Sequence, residues 1–317
     1  MSNSPAFLDS GRPAVPDLVV PRGVLPFYLP QRPVRGRLVR LGALAGALIG
    51  RHPHAPCVSS LLGEALALVA ALATALKFNG SFSLQIKGDG PVALLVADCT
   101  DDGALRGHVR IDQDRLASLL ETQDSPSARA LLGDGYFALT VDQGPDTERQ
   151  QGIVALDGET LADSARSYFA TSEQHPVWLR LAAAETPTGW RASALVLERI
   201  AGSGGIDPAM DAEAQQESWR TAIMLAETLS PAELLDDALP PEQLLFNVFH
   251  SEGVAAGRAR PLSYGCRCTR QRLLGILEGF STEELDHMNA DGSVVMTCEF
   301  CNIDFHFPRA ELQGREG

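Results

Sequence analysis

The chain has 317 residues, which is enough to bury the core of one large or two small domains without disulfide support. Hydrophobic residues make up 45% and charged residues 21% of the sequence, and these near-average values argue against wholesale disorder and against a polytopic membrane protein. The formal net charge of -14 repels phosphate backbones and anionic lipids, so we expect neither nucleic acid nor a membrane as a partner.

The cysteine content and the first residues indicate a compartment. Six cysteines are too few for an extracellular disulfide scaffold, and the N-terminal sequence does not combine a basic region with a long apolar stretch. We therefore expect a protein of the reducing cytoplasm.

Residues 1–33 are predicted to form a proline-rich N-terminal arm. Residues 1–40 contain seven of the 20 prolines, and six arginines against two aspartates. Because proline lacks an amide donor and disrupts helices, we predict an extended or loosely attached segment as far as Gln31. Regular structure is expected from about Val34.

Residues 34–200 are predicted to form the core domain. Leucine and valine recur at helical spacing between Leu61 and Phe78, and this stretch is short for a bilayer crossing, so we predict a core helix. Apolar runs separated by turn residues then predict strands at 82–87, 92–99, 105–111, 136–141, 152–156, 177–183 and 190–197, with a further helix from Gly158 to about Phe169. Strands and helices occur in blocks rather than as repeated βαβ units, which favours an α+β fold with an N-terminal β-sheet core domain and packed helices.

Residues 201–262 are predicted to form an acidic, metastable helical linker. The segment opens with the flexible run Ala-Gly-Ser-Gly-Gly, and residues 201–250 carry nine acidic side chains against the single basic Arg220. A capping box at Ser230-Pro231-Ala232-Glu233 predicts a helix start. These helices should repel one another and depend on whatever their apolar faces contact.

Four of the six cysteines lie in residues 263–317, in the pairs Cys266-Arg267-Cys268 and Cys298-Glu299-Phe300-Cys301. Four thiolates from two close pairs suit tetrahedral Zn²⁺, which binds sulfur at about 2.3 Å. The sequence therefore predicts a small C-terminal zinc-binding α+β module in which Cys266, Cys268, Cys298 and Cys301 are the metal ligands.

The sequence between the two pairs is compatible with such a module. Thr269 and Ser281 can each cap a short helix, and the turn at 291–293 leads into a strand at 294–297. The second cysteine pair would then sit in a knuckle before another strand at 303–307.

The simplest role for this metal is to hold together a module too small to fold alone. A switch is the alternative, because structural zinc contributes roughly 10 to 16 kcal/mol to small modules, whereas whole domains are stable by about 5 to 15. Zinc also keeps its thiolates deprotonated and therefore oxidisable. Since alternate residues of an extended chain lie near or beyond the roughly 4.4 to 6.8 Å range of relaxed disulfides, the pair at 298 and 301 should oxidise before the pair at 266 and 268.

The other candidate motifs predict neither a second metal site nor a catalytic site. Cys57 and Cys99 are expected to be core thiols. The string His52, His54 and Cys57 lies among prolines in an expected loop with no fourth ligand nearby, so we do not predict a second metal site. Serine, histidine and acidic residues show no recognisable spacing for nucleophilic catalysis, and we predict that the protein is not an enzyme.

Several motifs along the chain resemble those of the thirty-three-kilodalton heat-shock chaperonin family, the redox-regulated holdases. The resemblance runs from about Val34 to Leu312. Beyond the two cysteine pairs, it is carried by Leu61-Leu62-Gly63-Glu64, Leu76-Lys77-Phe78-Asn79-Gly80, Gly88-Asp89-Gly90-Pro91, Arg106-Gly107, Gln151-Gly152-Ile153-Val154, Gly158-Glu159-Thr160-Leu161-Ala162, Tyr168-Phe169, Ser172-Glu173-Gln174, Phe249-His250 and Thr297-Cys298-Glu299-Phe300-Cys301.

The resemblance implies a cytoplasmic chaperone that is zinc-bound and inactive when reduced. Peroxide under unfolding conditions, or hypochlorite, would join Cys266 to Cys268 and Cys298 to Cys301 as redox disulfides and release zinc. The linker would then unfold, and the activated form, commonly a homodimer, would hold unfolding client proteins without ATP.

Two other functions stay open on the sequence. One is a constitutive zinc-module protein that binds a single partner without redox control; nucleic acid is one candidate partner, and the net charge of -14 counts against it. The other is a thiol oxidoreductase that cycles through Cys298 and Cys301, although a CxxC pair alone does not supply the thioredoxin-like βαβ context.

Overall fold

The computed structural model describes residues 16–76, 78–144, 147–200 and 212–312. These residues fall into two compact units, one spanning 18–265 and a second that contains 266–312. The first unit thus includes the predicted core together with the described residues of the predicted linker. The glycine-rich run at 201–205 lies outside the described residues.

The first unit mixes strands and helices, as the sequence predicts. Its strands are β1 (Val19–Leu29), β2 (Val34–Arg40), β3 (Ser81–Gly88), β4 (Val92–Thr100), β5 (Ala104–Ile111), β6 (Gly135–Asp142), β7 (Gln150–Ala155), β8 (Val177–Thr186), β9 (Gly189–Arg199), β10 (Ala255–Ala256) and β11 (Arg260–Tyr264). Its helices are α1 (Ala43–Ile49), α2 (Pro56–Ala73), α3 (Gln113–Leu120), α4 (Ala128–Leu132), α5 (Leu161–Thr171), α6 (Ala212–Glu227), α7 (Pro231–Leu235) and α8 (Pro241–Phe249). The seven strands predicted between 82 and 197 are confirmed, as is the helix that begins after Thr160.

Within the described residues the strands form one eleven-stranded sheet, in the order β7-β6-β3-β4-β5-β11-β1-β2-β9-β8, with β10 beside β1. Strands β3, β4 and β5 form the predicted antiparallel meander. Strand β11 runs antiparallel to β1 but parallel to β5. A strand from the C-terminal end of the unit therefore lies in the middle of a sheet made mostly from its N-terminal part.

Strand β1 corrects the prediction of an extended or loosely attached segment as far as Gln31. Residues 19–29 form this strand, and Val24 to Leu29 pair with β2 in continuous register. The alternating residues Leu25, Phe27 and Leu29 are buried, which is the two-residue period of a strand. Prolines obscured this period in the sequence, yet Pro26 still contributes its carbonyl, which accepts a 2.7 Å hydrogen bond from the Gly257 amide. Residues 1–15 of the predicted arm lie outside the described residues.

Helix α2 is the centre of one hydrophobic core. It begins at Pro56, five residues before the predicted start, because proline is favoured in the first turn. Among the described helices it alone is long and apolar enough to cross a bilayer, and 78% of that stretch is buried inside the fold. This agrees with the core helix expected from its apolar stripe.

Helices α6, α7 and α8 cover a second hydrophobic core. Their buried side chains pack with residues of β1, β2, β8 and β9; the cluster includes Leu25, Phe27, Leu38, Trp178, Leu195, Leu197, Trp219, Ala222, Leu234, Leu245 and Phe249. Sequence neighbours such as Val24 and Leu25, or Leu38 and Val39, belong to different cores. Because successive strand residues point to opposite faces, the linker helices and α2 lie on opposite faces of the sheet.

The second unit is a small α+β module. Its elements are α9 (Arg270–Leu277), α10 (Thr282–His287), β12 (Asn289–Ala290), β13 (Ser293–Thr297), β14 (Asp304–Pro308) and α11 (Arg309–Leu312). The three strands form an antiparallel sheet in sequence order. Phe305 and Phe307 are buried on one side of β14, and the Arg270 guanidinium lies 4.3 Å from the centre of the Phe307 ring. Such a module has little apolar surface to bury, so its folding needs another source of free energy.

Candidate metal centre

The first cysteine pair follows directly on strand β11 and precedes helix α9. Thr269 is the N-cap of that helix, and its hydroxyl accepts a hydrogen bond from the Arg272 amide. The cap fixes where the chain turns from extended to helical, so Cys266 and Cys268 both lie in the extended segment just before the helix.

The second pair lies in a tight knuckle between β13 and β14, as the sequence predicts. The Cys298 amide donates to the Ile303 carbonyl at 3.0 Å, and the Asn302 amide donates to the Cys298 carbonyl at 2.7 Å. Asn302 has a φ of 51°, in the left-handed region that asparagine tolerates better than most residues. These contacts reverse the chain and hold Cys298 and Cys301 on the same side of it.

The structure brings all four sulfur atoms together. The Sγ atoms of Cys266 and Cys268 are 3.4 Å apart, those of Cys266 and Cys298 are 3.7 Å apart, and those of Cys268 and Cys301 are 3.5 Å apart. All four lie within 4.8 Å of one another. Sulfurs at about 2.3 Å from a tetrahedral ion would be roughly 3.8 Å apart, so the cluster has the dimensions of a four-thiolate metal site.

The environment of the cluster favours the thiolate at two of the four cysteines. Each of the four side chains is at most 9% exposed. Hydrogen bonding with Cys268 lowers the pKa of Cys266 to about 7, and hydrogen bonding with Cys266 lowers the pKa of Cys298 far below the usual thiol range. The pKa values of Cys268 and Cys301 rise because these thiols share their protons with Cys266 and the other sulfurs. A bound cation would remove the remaining protons, since metal ligation requires the deprotonated sulfur.

These residues fit a metal ion without help from histidine. His306 is exposed on β14 and does not belong to the cluster. Of the two cysteines expected in the core, Cys99 is buried on β4 and Cys57 is partly buried at the start of α2. The described residues contain no second cluster of metal-ligating side chains that meets the same geometry.

Sequence reasoning did not explain two features beside the centre. Gly265 precedes Cys266, and a β-carbon there would lie 2.4 Å from the Ala104 backbone carbonyl carbon, so the close approach of β11 and β5 requires glycine. Asn302 supplies the left-handed turn of the knuckle. An asparagine directly after a CxxC pair was the available signal for the second feature, whereas the first depends on a contact 160 residues away in the sequence.

The sequence matches a known protein family over most of its length. The family model described as "Hsp33 protein" matches residues 23–308. The chain belongs to the Hsp33 family.

Named relatives agree with the family match. A 33 kDa chaperonin of Caulobacter vibrioides is 40% identical over 281 residues, which cover 87% of this chain and 91% of the relative. A 33 kDa chaperonin of Ectopseudomonas mendocina is 34% identical over 290 residues, with 90% and 92% coverage. Hsp33 is a chaperone family, so the resemblance stated from the sequence motifs is confirmed.

A solved structure confirms the α+β fold. The crystal structure of the 33 kDa chaperonin from Thermotoga maritima superposes with a TM-score of 0.74, covering 92% of this chain and 97% of that one at 22% sequence identity. At this identity the likeness concerns the fold. The four clustered cysteines of this chain can hold a metal ion.

Proposed function

We propose that the chain is a redox-regulated, ATP-independent holdase chaperone of the cytoplasm. In the reduced state Cys266, Cys268, Cys298 and Cys301 hold Zn²⁺ and the protein is inactive. Oxidation joins Cys266 to Cys268 and Cys298 to Cys301, releases zinc and unfolds the linker at 201–262. The activated protein, as a homodimer, then binds unfolding proteins and prevents their aggregation.

The four-sulfur cluster is the observation that carries the proposal. Each disulfide forms when two thiolates give two electrons to an oxidant such as peroxide or hypochlorite, and peroxide is reduced to water as protons are taken up. A sulfur in a disulfide has lost the charge that made it a ligand, so oxidation of either pair removes half of the donors. The module then loses a metal whose binding is worth roughly 10 to 16 kcal/mol in small zinc modules.

The position of the linker helices supports the proposal that the reduced protein is inactive. Helices α6, α7 and α8 bury an apolar face of the sheet that includes Phe27, Leu38, Trp178 and Leu197. A holdase needs exposed apolar surface to bind unfolding proteins, and a large uncovered patch would be hazardous in a resting protein. Covering that face in the reduced state and uncovering it after oxidation meets both requirements.

The second cysteine pair should oxidise first. Cys298 and Cys301 face the same side of a tight turn, whereas Cys266 and Cys268 lie two positions apart in extended chain, which is an unfavourable geometry for a disulfide. Peptide mass mapping of partly oxidised protein checks the order. A bridge between Cys266 and Cys268 in molecules whose other pair is still reduced would contradict it.

Suppression of aggregation tests the function. Citrate synthase is heated with reduced, zinc-loaded protein and with peroxide-treated, zinc-free protein, and light scattering is followed. We expect suppression only by the oxidised form. A Cys268→Ser, Cys301→Ser double variant should never become redox-responsive, whereas Cys57→Ser, which alters a cysteine outside the cluster, should respond as the wild type does.

The outcomes separate the candidate functions. Equal suppression by the oxidised and reduced forms would favour a constitutive zinc-module protein and refute redox control. Absence of suppression by either form would refute chaperone action. Catalytic reduction of a model disulfide would favour the oxidoreductase alternative.

A further inference from the structure

Strand β11 joins the two halves of the large sheet. In the described residues β5 ends one half and β1 begins the other, and β11 lies between them. Adjacent strands are about 4.8 Å apart, so β5 and β1 are separated by about 10 Å with β11 in the gap. Helix α2 packs beside the sheet in a core that also contains residues of β1, β5 and β11, so both halves of the sheet share this core.

Few regular backbone pairs hold β11 in this gap. It pairs with β5 at two positions, where Ser263 and Gly265 donate to the Gly103 and Leu105 carbonyls at 2.9 and 2.7 Å. On the other side Ser263, Leu262 and Arg260 pair with β1, and the register is interrupted between Val20 and Val24. The Tyr264 amide also donates to the Leu18 carbonyl at 3.0 Å. Proline at position 261 has no amide to donate. A central strand held in this way is easier to remove than the continuous ladders beside it.

The gap also contains a specific place for an apolar side chain. Leu262 is fully buried in the core around α2. Gly23 on β1 leaves the space for it, since a β-carbon at Gly23 would lie 2.7 Å from Leu262 Cγ. Arg260 and Tyr264 lie on the same face of β11 as Leu262, and Arg260 donates to the carbonyls of Thr74 and Asp101 at 3.1 and 2.9 Å.

We infer that the gap filled by β11 is a strand-binding groove for the client: after oxidation an extended segment of an unfolding protein takes the place of β11 between β5 and β1. The inference rests on the proposed function, because β11 overlaps the end of the linker that oxidation releases and is followed at once by Cys266. Release leaves two facing strand edges whose carbonyls, at Leu18, Gly103 and Leu105, have lost their donors.

The groove fits an extended peptide with a bulky aliphatic residue at its centre. Backbone amides of almost any peptide can donate to these carbonyls, so the groove can bind segments of many different sequences. The Leu262 position selects an aliphatic side chain, and the Tyr264 position two residues later admits an aromatic one. Unfolding proteins expose such segments, whereas folded proteins keep them paired in their own sheets.

A peptide probe tests the groove in the full-length protein. The probe is a fluorescein-labelled peptide with the sequence of residues 258–265, and its control carries aspartate at the position of Leu262. We expect oxidised, zinc-free protein to bind the probe and reduced, zinc-loaded protein not to bind it. The control should bind at least about ten-fold more weakly, because a charge would enter an apolar site. A photoreactive group at the central position of the probe should label β1 near Gly23.

A variant tests the same groove without oxidation. Leu262→Asp should displace β11 in the reduced protein and allow the probe to bind there. Ala256→Asp adds the same charge at an exposed position of β10, and it should leave the reduced protein unable to bind. If Leu262→Asp does not fold, binding of the probe to the oxidised wild type still tests the inference.

Failure of the groove is distinguishable from failure of the proposed function. Oxidised protein that suppresses aggregation but binds the probe no better than the control overturns the groove and leaves the chaperone function standing. Oxidised protein that suppresses no aggregation overturns the function. An oxidised dimer whose groove stays closed to excess probe shows that β11 of a second copy occupies it, which also overturns the inference.

Discussion

Asn302 shows how one residue can set the affinity of the metal centre. Its backbone has a φ of 51°, and its amide closes the knuckle through the Cys298 carbonyl. A β-branched side chain is strained in this conformation, at a cost of roughly 1 to 2 kcal/mol, whereas glycine is not. We expect Asn302→Val to lower zinc affinity about ten-fold and Asn302→Gly to leave it nearly unchanged, as measured by competition with a chromogenic chelator. Equal affinity for zinc in both variants would show that the turn does not limit binding.

Glu64 is a partly buried carboxyl group in the apolar helix α2. Burial raises its pKa from 4.5 to about 7, with no charged partner contributing to the shift. The folded state therefore holds the proton more tightly than the unfolded state, and stability should fall as pH rises from about 4.5 to about 7. The loss should be complete above pH 7.

Replacement of this carboxyl removes the pH dependence. We expect Glu64→Gln to be more stable than the wild type at pH 8, by on the order of 2 kcal/mol, and to differ little at pH 4.5. Urea unfolding of the reduced, zinc-loaded chain at both pH values measures the difference. Glu121→Gln at an exposed position is the matched control, and it should show no pH-dependent gain. A constant difference between Glu64→Gln and the wild type at both pH values would contradict the assignment.

Arginines from the sheet hold the linker helices in place. Arg40 on β2 donates to the Glu233 carbonyl at 3.0 Å and to the Leu239 carbonyl, and Arg180 on β8 donates to the Leu229 carbonyl. Arg32 forms a 2.6 Å ion pair with Glu252. These contacts complement the acidic charge of the linker and donate hydrogen bonds to carbonyls at helix ends.

The buried contacts should matter more than the exposed ones. Arg40 is 8% exposed, so Arg40→Met removes a buried donor from the Leu239 and Glu233 carbonyls and should weaken docking of the linker by about 1 to 3 kcal/mol. Arg22 pairs with Glu242 across a largely exposed surface, and Arg22→Met should have an effect below about 1 kcal/mol. Hydrogen exchange of α7 and α8 in the reduced protein measures both. Equal protection in the two variants would mean that docking depends on apolar packing alone.

For the whole molecule, local patterns predicted most of the elements. The meander β3 to β5 and strands β6 to β9 followed from alternating apolar runs between turn residues, and α2 followed from its apolar stripe. Strand β1 was missed because its prolines suggested an unstructured arm, although Leu25, Phe27 and Leu29 alternate as a strand requires. Strand β11 was missed for a different reason: its partners lie about 160 and 240 residues away, and pairing at that distance leaves no local signal.

The candidate centre was more predictable than the sheet because its chemistry is local. The spacing of Cys266, Cys268, Cys298 and Cys301 was enough to predict that the four sulfurs meet, and the structure brings them within 4.8 Å. The arginines that contact the linker had no such spacing. Their importance depends on which carbonyl each one reaches, and only the folded chain determines that.

The two compact units should differ in how they depend on the metal. The unit at 18–265 has two large apolar cores, whereas the unit that contains 266–312 buries a small set of side chains around the cysteines. Oxidation with zinc removal should therefore unfold the small unit and the linker, including β11, but leave the rest of the sheet around α2 folded. Limited trypsin digestion, read by mass spectrometry, should show cleavage after Arg270 and Arg272 accelerated at least about ten-fold, since cleavage follows the population of open states. Arg37 and Arg40, buried on β2, should stay protected, and reduced, zinc-loaded protein is the control. Unchanged cleavage after Arg270 and Arg272 in oxidised, zinc-free protein would show that the small unit folds without its metal, and the switch would then have no physical basis.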